Sequence, residues 1–265
     1  MNNDSPVKAF LVVLLTAVVC SSLVSAAVVV LRPIQLDNQM LERSRNIMKL
    51  TGLVEEGAIP SDEEMLKLYQ GMDVEILDID QAGYNSELDP LTFDPRRAVN
   101  NPDLSVAIPP ELDLASLGRR SRFATIYLVL REGELERVIL PIHGTGMWST
   151  IYGFIALESD LNTIAAATFY EQNETPGLGD QILRREWQAQ WEGRRIYDEV
   201  GDPRFAVNHG KVQPGSSTWL YEVDALTGAT VTADAVTNII RYWFGPHGYQ
   251  DFLDALRQQQ SGEAG

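Results

Sequence analysis

Hydrophobic and polar positions follow different periods in different stretches of this chain, and each stretch predicts its own kind of element. From Ala9 to Leu31 there is no alternation: 23 residues carry no charge and are interrupted only by Thr16, Ser21, Ser22 and Ser25. As a helix the run reaches about 34 Å, enough to cross a hydrocarbon core of roughly 30 Å. A cleaved signal peptide competes for the same residues, because Val24-Ser25-Ala26 ends in small side chains. A signal's apolar region is about 7–15 residues long, whereas this one continues through Ala27 to Leu31, which favours a retained anchor. Bulky Val19 argues against lipidation of Cys20, leaving that cysteine as a small apolar residue in the bilayer.

Past the anchor the pattern turns helical. Met40, Leu41, Ile47, Met48 and Leu50 sit among charges, predicting a helix from Asp37 to Leu50. Pro60 followed by Ser61-Asp62-Glu63-Glu64 reads as a capping box, with Met65, Leu66, Leu68 and Tyr69 behind it and Gly71 as the stop. Between Ala82 and Leu117 lie Pro90, Pro95, Pro102, Pro109 and Pro110, and the period dissolves into an irregular excursion over the surface. Strands are predicted at Ala124–Leu130 and Leu135–Ile142, joined by a hairpin turn at Arg131–Glu134, and again at Gly153–Leu157 and Thr163–Tyr170. Ile182, Leu183, Trp187 and Trp191 share a helical face, and Trp219–Val223 reads as a short strand. Val236, Ile239, Ile240, Trp243 and Phe244 make a clean helical stripe, with a last helix from Tyr249 to Arg257. The expected fold class is α+β: a single N-terminal transmembrane helix, then a mixed, largely antiparallel β-sheet domain with flanking helices. The expected divisions are a short tail at 1–8, the anchor at 9–31, a helical and irregular segment at 32–122 packed on the soluble domain, the main domain at 123–258 and a flexible tail at 259–265.

Composition narrows the chemistry. Of 265 residues, 45% are hydrophobic and 22% charged, which is ordinary globular usage. Asp and Glu outnumber Lys and Arg by 37 to 21, giving a net charge of −16, and such a surface repels phosphate backbones, so nucleic acid is not an expected partner. A single cysteine excludes an internal disulfide or a thiolate metal site. His143, His209 and His247 lie far apart with no His-x-x-x-His pair, which argues against a zinc enzyme; no metal is expected. Lys8 and the amino terminus precede the anchor, and Arg32, Arg43 and Arg45 follow it, so the positive-inside rule leaves orientation open.

Gly144-Thr145-Gly146 and Gly177-Leu178-Gly179 each begin like a dinucleotide fingerprint, yet Ser149 and Ile182 stand where the third glycine belongs. There is no phosphate loop of the usual kind and no Gly-x-Ser-x-Gly elbow. The informative run is Asp224-Ala225-Leu226-Thr227-Gly228-Ala229-Thr230-Val231-Thr232, entered by a short strand and left by the amphipathic helix. Thr230 and Thr232 are both plausible N-caps there. A tight turn that uses Gly228 for backbone freedom explains it. An anion site explains it equally, since free N–H groups and the dipole at a helix start favour phosphate. Glu171–Gly179, with one proline and two glycines around Leu178, has the make-up of a ligand-lining loop and also of a plain turn.

At these residues a resemblance becomes specific. Asp224 and Thr227-Gly228-Ala229-Thr230 are similar to the Asp-x-x-Ser/Thr-Gly-Ala-Thr flavinylation motif, in which a dedicated transferase esterifies FMN phosphate to the last threonine. Glu174–Gly179 and Gly146-Met147-Trp148-Ser149 resemble two further hallmarks of the FMN-binding domain family, which assigns that domain to 123–258. Trp187-Gln188-Ala189-Gln190-Trp191 with Gly193, the anchor and the Ile59–Leu117 region resemble one branch, the C subunit of the sodium-translocating NADH:quinone reductase. The G subunit of the Rnf electron-transport complex is the related alternative and is generally shorter. Thr227 departs from the commoner serine but keeps the hydroxyl. The resemblance implies FMN joined by a phosphoester to Thr230, with Thr227, Gly228, Ala229, Glu174, Thr175, Leu178 and Trp148 around it. Asp224 would serve recognition by the flavin transferase. It further implies an electron carrier in a multi-subunit complex of the bacterial inner membrane, with the soluble domain on the periplasmic side. That complex is an enzyme coupling NADH oxidation and ubiquinone reduction to sodium export, with NADH bound elsewhere in the assembly. The competing class is an anchored, non-redox binding module for a phosphate-containing ligand.

Overall fold

The computed structural model describes residues 6–52, 72–90 and 92–263. The helix expected over residues 61–69 lies outside the described residues. The chain divides into two units, Met1–Arg45 and Asn46–Gly265.

The first helix, α1, runs unbroken from Pro6 to Leu50, so the anchor and the expected Asp37–Leu50 helix are one element. Its Pro6–Leu31 portion is long and apolar enough to cross a membrane, with mean hydropathy 2.5 and no side chain buried within the chain. The hydroxyls of Thr16 and Ser22 donate to the carbonyls of Val12 and Val18, each at 2.8 Å, so neither donor is left unpaired in an apolar setting.

The second unit is built on a six-stranded sheet: β1 (Met72–Asp78), β2 (Gly83–Tyr84), β5 (Phe123–Arg131), β6 (Glu134–Thr145), β7 (Thr150–Glu158) and β8 (Ile164–Glu171), in the order β2-β1-β5-β6-β7-β8. Every pairing is antiparallel. Glu132 (φ 56°) and Gly133 (φ 87°) turn the β5–β6 hairpin; two successive positive φ values suit the right-handed strand twist. Two small pairs stand apart, β3 (Ser105–Ala107) with β4 (Arg119–Ser121), and β9 (Ala206–Val207) parallel with β10 (Glu222–Val223). Two long helices follow, α2 (Thr230–Trp243) and α3 (Gln250–Glu263).

Both faces of the sheet are covered, which is why its central strands read as apolar runs rather than strict alternations. On one face Ile126, Leu140 and Ile155 join Val236, Ile239 and Ile240 of α2 in the main core. On the other, Val129, Ile139 and Phe154 pack with Ile47, Met48 and Leu50 from the end of α1. Gly52 (φ 71°) follows that end, and a Cβ there would lie 2.5 Å from the Arg137 guanidinium, which itself donates to the Leu50 carbonyl at 3.0 Å.

Two predicted elements differ. The helix expected across Gln181–Trp191 is three short turns: Gly179–Leu183, Arg185–Gln188 and Ala189–Trp191. Arg184, extended at φ −70° and ψ 129°, breaks the first two apart, and the Gln188 amide bonds the Ile182 carbonyl at 2.8 Å. The expected strand at Trp219–Val223 is a turn over Trp219–Tyr221, and only Glu222–Val223 is extended.

Candidate functional site

Three loops meet at the start of α2. The first follows β10 and carries Asp224 to Ala229. Gly228 there has φ 76°, and a Cβ would come 3.0 Å from Leu178 Cδ2, so glycine meets a conformational and a steric demand together. The Ala229 N–H closes this turn onto the Leu226 carbonyl at 3.0 Å. Ala229, not a threonine, is the N-cap, and no side chain caps the first turn. Thr230 is the first helical residue and is exposed, as are Thr227 and Gly228, while Ala229 is buried. The hydroxyl of Thr230 is thus on the surface, at the positive end of the α2 dipole.

The second loop follows β8. Glu174 is only 4% exposed, and both its oxygens are engaged. Oε2 accepts from the Thr232 hydroxyl at 2.5 Å and Oε1 from the Trp148 backbone N–H at 3.1 Å. A Cβ on Gly146 would lie 2.5 Å from Oε1, and one on Gly179 would lie 2.6 Å from Thr232 Oγ1. The two incomplete glycine motifs therefore make room for this buried carboxylate. Leu178, 42% exposed, projects beside Gly228. The Gln181 amide donates to both the Leu178 carbonyl (2.7 Å) and the Thr227 carbonyl (3.0 Å), joining the two loops.

The third loop joins β6 to β7. Trp148 is 67% exposed, and its indole N–H donates to the Thr175 hydroxyl at 3.0 Å. Thr175, Leu178, Trp148 and Thr230 are thus exposed on adjoining loops, while Glu174 underlies them. Beneath the Asp224 end, Trp187 Nε1 donates to the Asp224 carbonyl at 2.9 Å and the Asp224 N–H to Gln190 Oε1 at 3.0 Å. That gives the Trp-Gln-Ala-Gln-Trp segment its purpose at the site: it carries the strand that delivers the motif. Gln181 and Thr232 join this junction in roles the sequence did not signal: Thr232, expected as a possible N-cap, instead donates to Glu174, and Gln181, expected inside a helix, bonds the Thr227 carbonyl.

Residues 146–245 match the FMN-binding domain family. NqrC of Pseudomonas aeruginosa, the C subunit of its Na(+)-translocating NADH-quinone reductase, is 40% identical over 261 residues, covering 98% of this chain and 99% of the relative. The chain belongs to the NqrC family. The Yersinia pestis NqrC is 36% identical over 258 residues, 97% of this chain and 95% of its own. A crystal structure of the Shewanella oneidensis NqrC superposes with a TM-score of 0.75 at 30% identity, covering 82% of this chain and 97% of that one. The Parabacteroides distasonis NqrC shares the fold, at TM-score 0.62 and 23% identity over 84% of this chain and 96% of that one. Near-complete coverage of both chains carries that assignment. The relatives of this chain are named as subunits of a reductase, and an N-terminal apolar helix agrees with membrane anchoring.

Proposed function

We propose that this chain carries FMN as a phosphoester on Thr230 and passes electrons within a reductase whose overall reaction couples NADH oxidation by ubiquinone to sodium export. The observation that carries the reading is exposed Thr230 at the head of α2, whose first turn no side chain caps, next to Gly228 with Leu178 against it, and with exposed Trp148 bonded to Thr175 on the adjoining loop. These residues fit the group. Gly228 lets a phosphate approach the backbone, the helix start offsets its charge, and Thr227 offers a second hydroxyl. Leu178, Thr175 and Trp148 offer apolar and hydroxyl surface to a flat ring, and buried Glu174 fixes their loop. Ala229 contributes its small size, since its N–H is already taken by Leu226. When bound, the flavin supplies the redox chemistry, and the chain supplies position and electrostatics.

In maturation, Thr230 would take the flavin's phosphoryl group from a phosphoanhydride donor held by a flavin transferase, the donor's other phosphate leaving and the hydroxyl proton passing to the transferase. Asp224 belongs to this maturation step rather than to electron transfer. We place the soluble unit on the periplasmic side of the bacterial inner membrane, where a tether prevents loss of the cofactor. Full-length chain made with the transferase should stay fluorescent under ultraviolet light after denaturation, and Thr230→Ala should abolish this with the fold intact. Colour lost on denaturation of the unsubstituted chain would refute the linkage and favour a non-covalent phosphate ligand.

A further inference from the structure

We infer that Asp224 serves flavin attachment by holding one wall of the cleft beside Thr230 in place, not by presenting its charge to the transferase. This rests on the reading of Thr230 as the flavinylated residue. The wall is the Asn208–Val212 loop. It leaves β9 alongside β10, with the Asn208 N–H donating to the Val223 carbonyl at 2.9 Å and the Ala225 N–H to the Gly210 carbonyl at 2.9 Å. Beyond that point the other strand turns away into the Thr227–Thr230 turn. The Asp224 carboxylate supplies the next rung itself, its Oδ1 accepting from the Val212 N–H at 2.8 Å.

The side chain is well set for this. With its own N–H on Gln190 and its carbonyl on Trp187, Asp224 is fixed at both backbone positions, so its carboxylate holds one direction. The loop it anchors lines a cleft of about 670 Å³, which also touches Thr227, Gly228 and Thr230. Lys211 is part of that loop and lines the same cleft as Thr230, a cation in a chain of net charge −16. An anionic flavin phosphoanhydride approaches more readily when the loop keeps that cation there. Asp224 is therefore a positioning residue that acts through Val212.

Three variants of the full chain, each made with and without the transferase, test this. The readouts are the rate of mass gain on the Thr230 peptide and the hydrogen-exchange rate of the Val212 amide. Asp224→Asn keeps an oxygen acceptor without the charge and should flavinylate at close to the unsubstituted rate. Asp224→Ala and Val212→Pro both remove the rung, and each should slow flavinylation by about tenfold or more, the scale of one lost hydrogen bond whose remaining partner goes unpaired. The Val212 amide should exchange faster in Asp224→Ala. Circular dichroism confirms that each variant is folded. The inference is overturned if Asp224→Asn abolishes flavinylation while the Val212 amide stays protected, or if Val212→Pro flavinylates normally. Should the unsubstituted chain gain no flavin on Thr230, the underlying reading fails as well, and that control separates the two failures.

Discussion

The Glu174 carboxylate accepts a 2.5 Å hydrogen bond from the Thr232 hydroxyl, so the loop after β8 is bonded to the first turn of α2 close to Thr230. Both partners are almost fully buried, at 4% and 2% exposure. Thr232→Val keeps the shape but leaves a buried carboxylate short of a donor, and should cost about 1–3 kcal/mol in urea unfolding. Thr230→Ala, on the same turn but exposed, should stay within about 0.5 kcal/mol in the same assay. Equal losses would mean that the bond does not brace the site.

Gly146 and Gly179 frame the same carboxylate. Gly146→Ala puts a methyl 2.5 Å from Glu174 Oε1 and 2.8 Å from Ile151 Cδ1, and should destabilise the chain by about 1–3 kcal/mol through overpacking. Gly177→Ala meets nothing within 4 Å, so only its φ of 77° is at stake, at about 1–2 kcal/mol. Thermal unfolding of both, with Trp148 fluorescence as the local readout, should show the Trp148 environment altered by the first alone.

Burial lowers the pKa of the His143 imidazole to about 4, with the neighbouring Arg96 acting in the same direction. His143 stacks on Tyr152 at 5.5 Å between ring centres and tilts against Trp243 at 4.9 Å. An unfolded histidine titrates near 6.5. Between those two values the unfolded chain takes up a proton that the folded chain refuses, so stability falls as the pH drops from about 6.5 to about 4. Above that window the residue contributes no pH dependence. His143→Phe should flatten this part of a pH–stability curve measured by urea unfolding, and an unchanged slope would contradict the burial argument.

The end of α1 belongs to the folded unit and not only to the anchor. A chain beginning at Asn46 keeps Ile47, Met48 and Leu50 on the sheet and should unfold with nearly the full-length midpoint, but without needing detergent. A chain beginning at residue 53 uncovers that face. Each of the three side chains is worth about 1.5–3 kcal/mol of burial, so its midpoint in urea should fall sharply.

The elements with a strong local signal were legible in the sequence: the uncharged anchor, the β5–β6 hairpin with its Glu132-Gly133 turn, and the α2 stripe from Val236 to Trp243. Strand β1 was not, because Met72–Asp78 mixes Asp73 and Glu75 into a strand that is selected by its pairing with β5. The Gln181–Trp191 segment has helical spacing, but glutamine side chains bond carbonyls there that a helix would have kept. At the site, the sequence brought Asp224, Thr227–Thr230 and Glu174–Gly179 into view. It could not show that Glu174 is a buried brace, since its partners Thr232 and Trp148 lie 58 and 26 residues away.

Helix α2 is fastened along its whole length. Thr232 holds the start to Glu174, Thr237 accepts from the Val207 N–H at 2.9 Å midway, and Trp243 bonds the His143 carbonyl at 2.6 Å near the end. A passenger hung from residue 230 would ride on a girder riveted at three stations, free to swivel about its own single bonds while its mooring point stayed put. Little atomic rearrangement would accompany a change of charge at such a mooring, and a small rearrangement is what lets rapid exchange run in both directions.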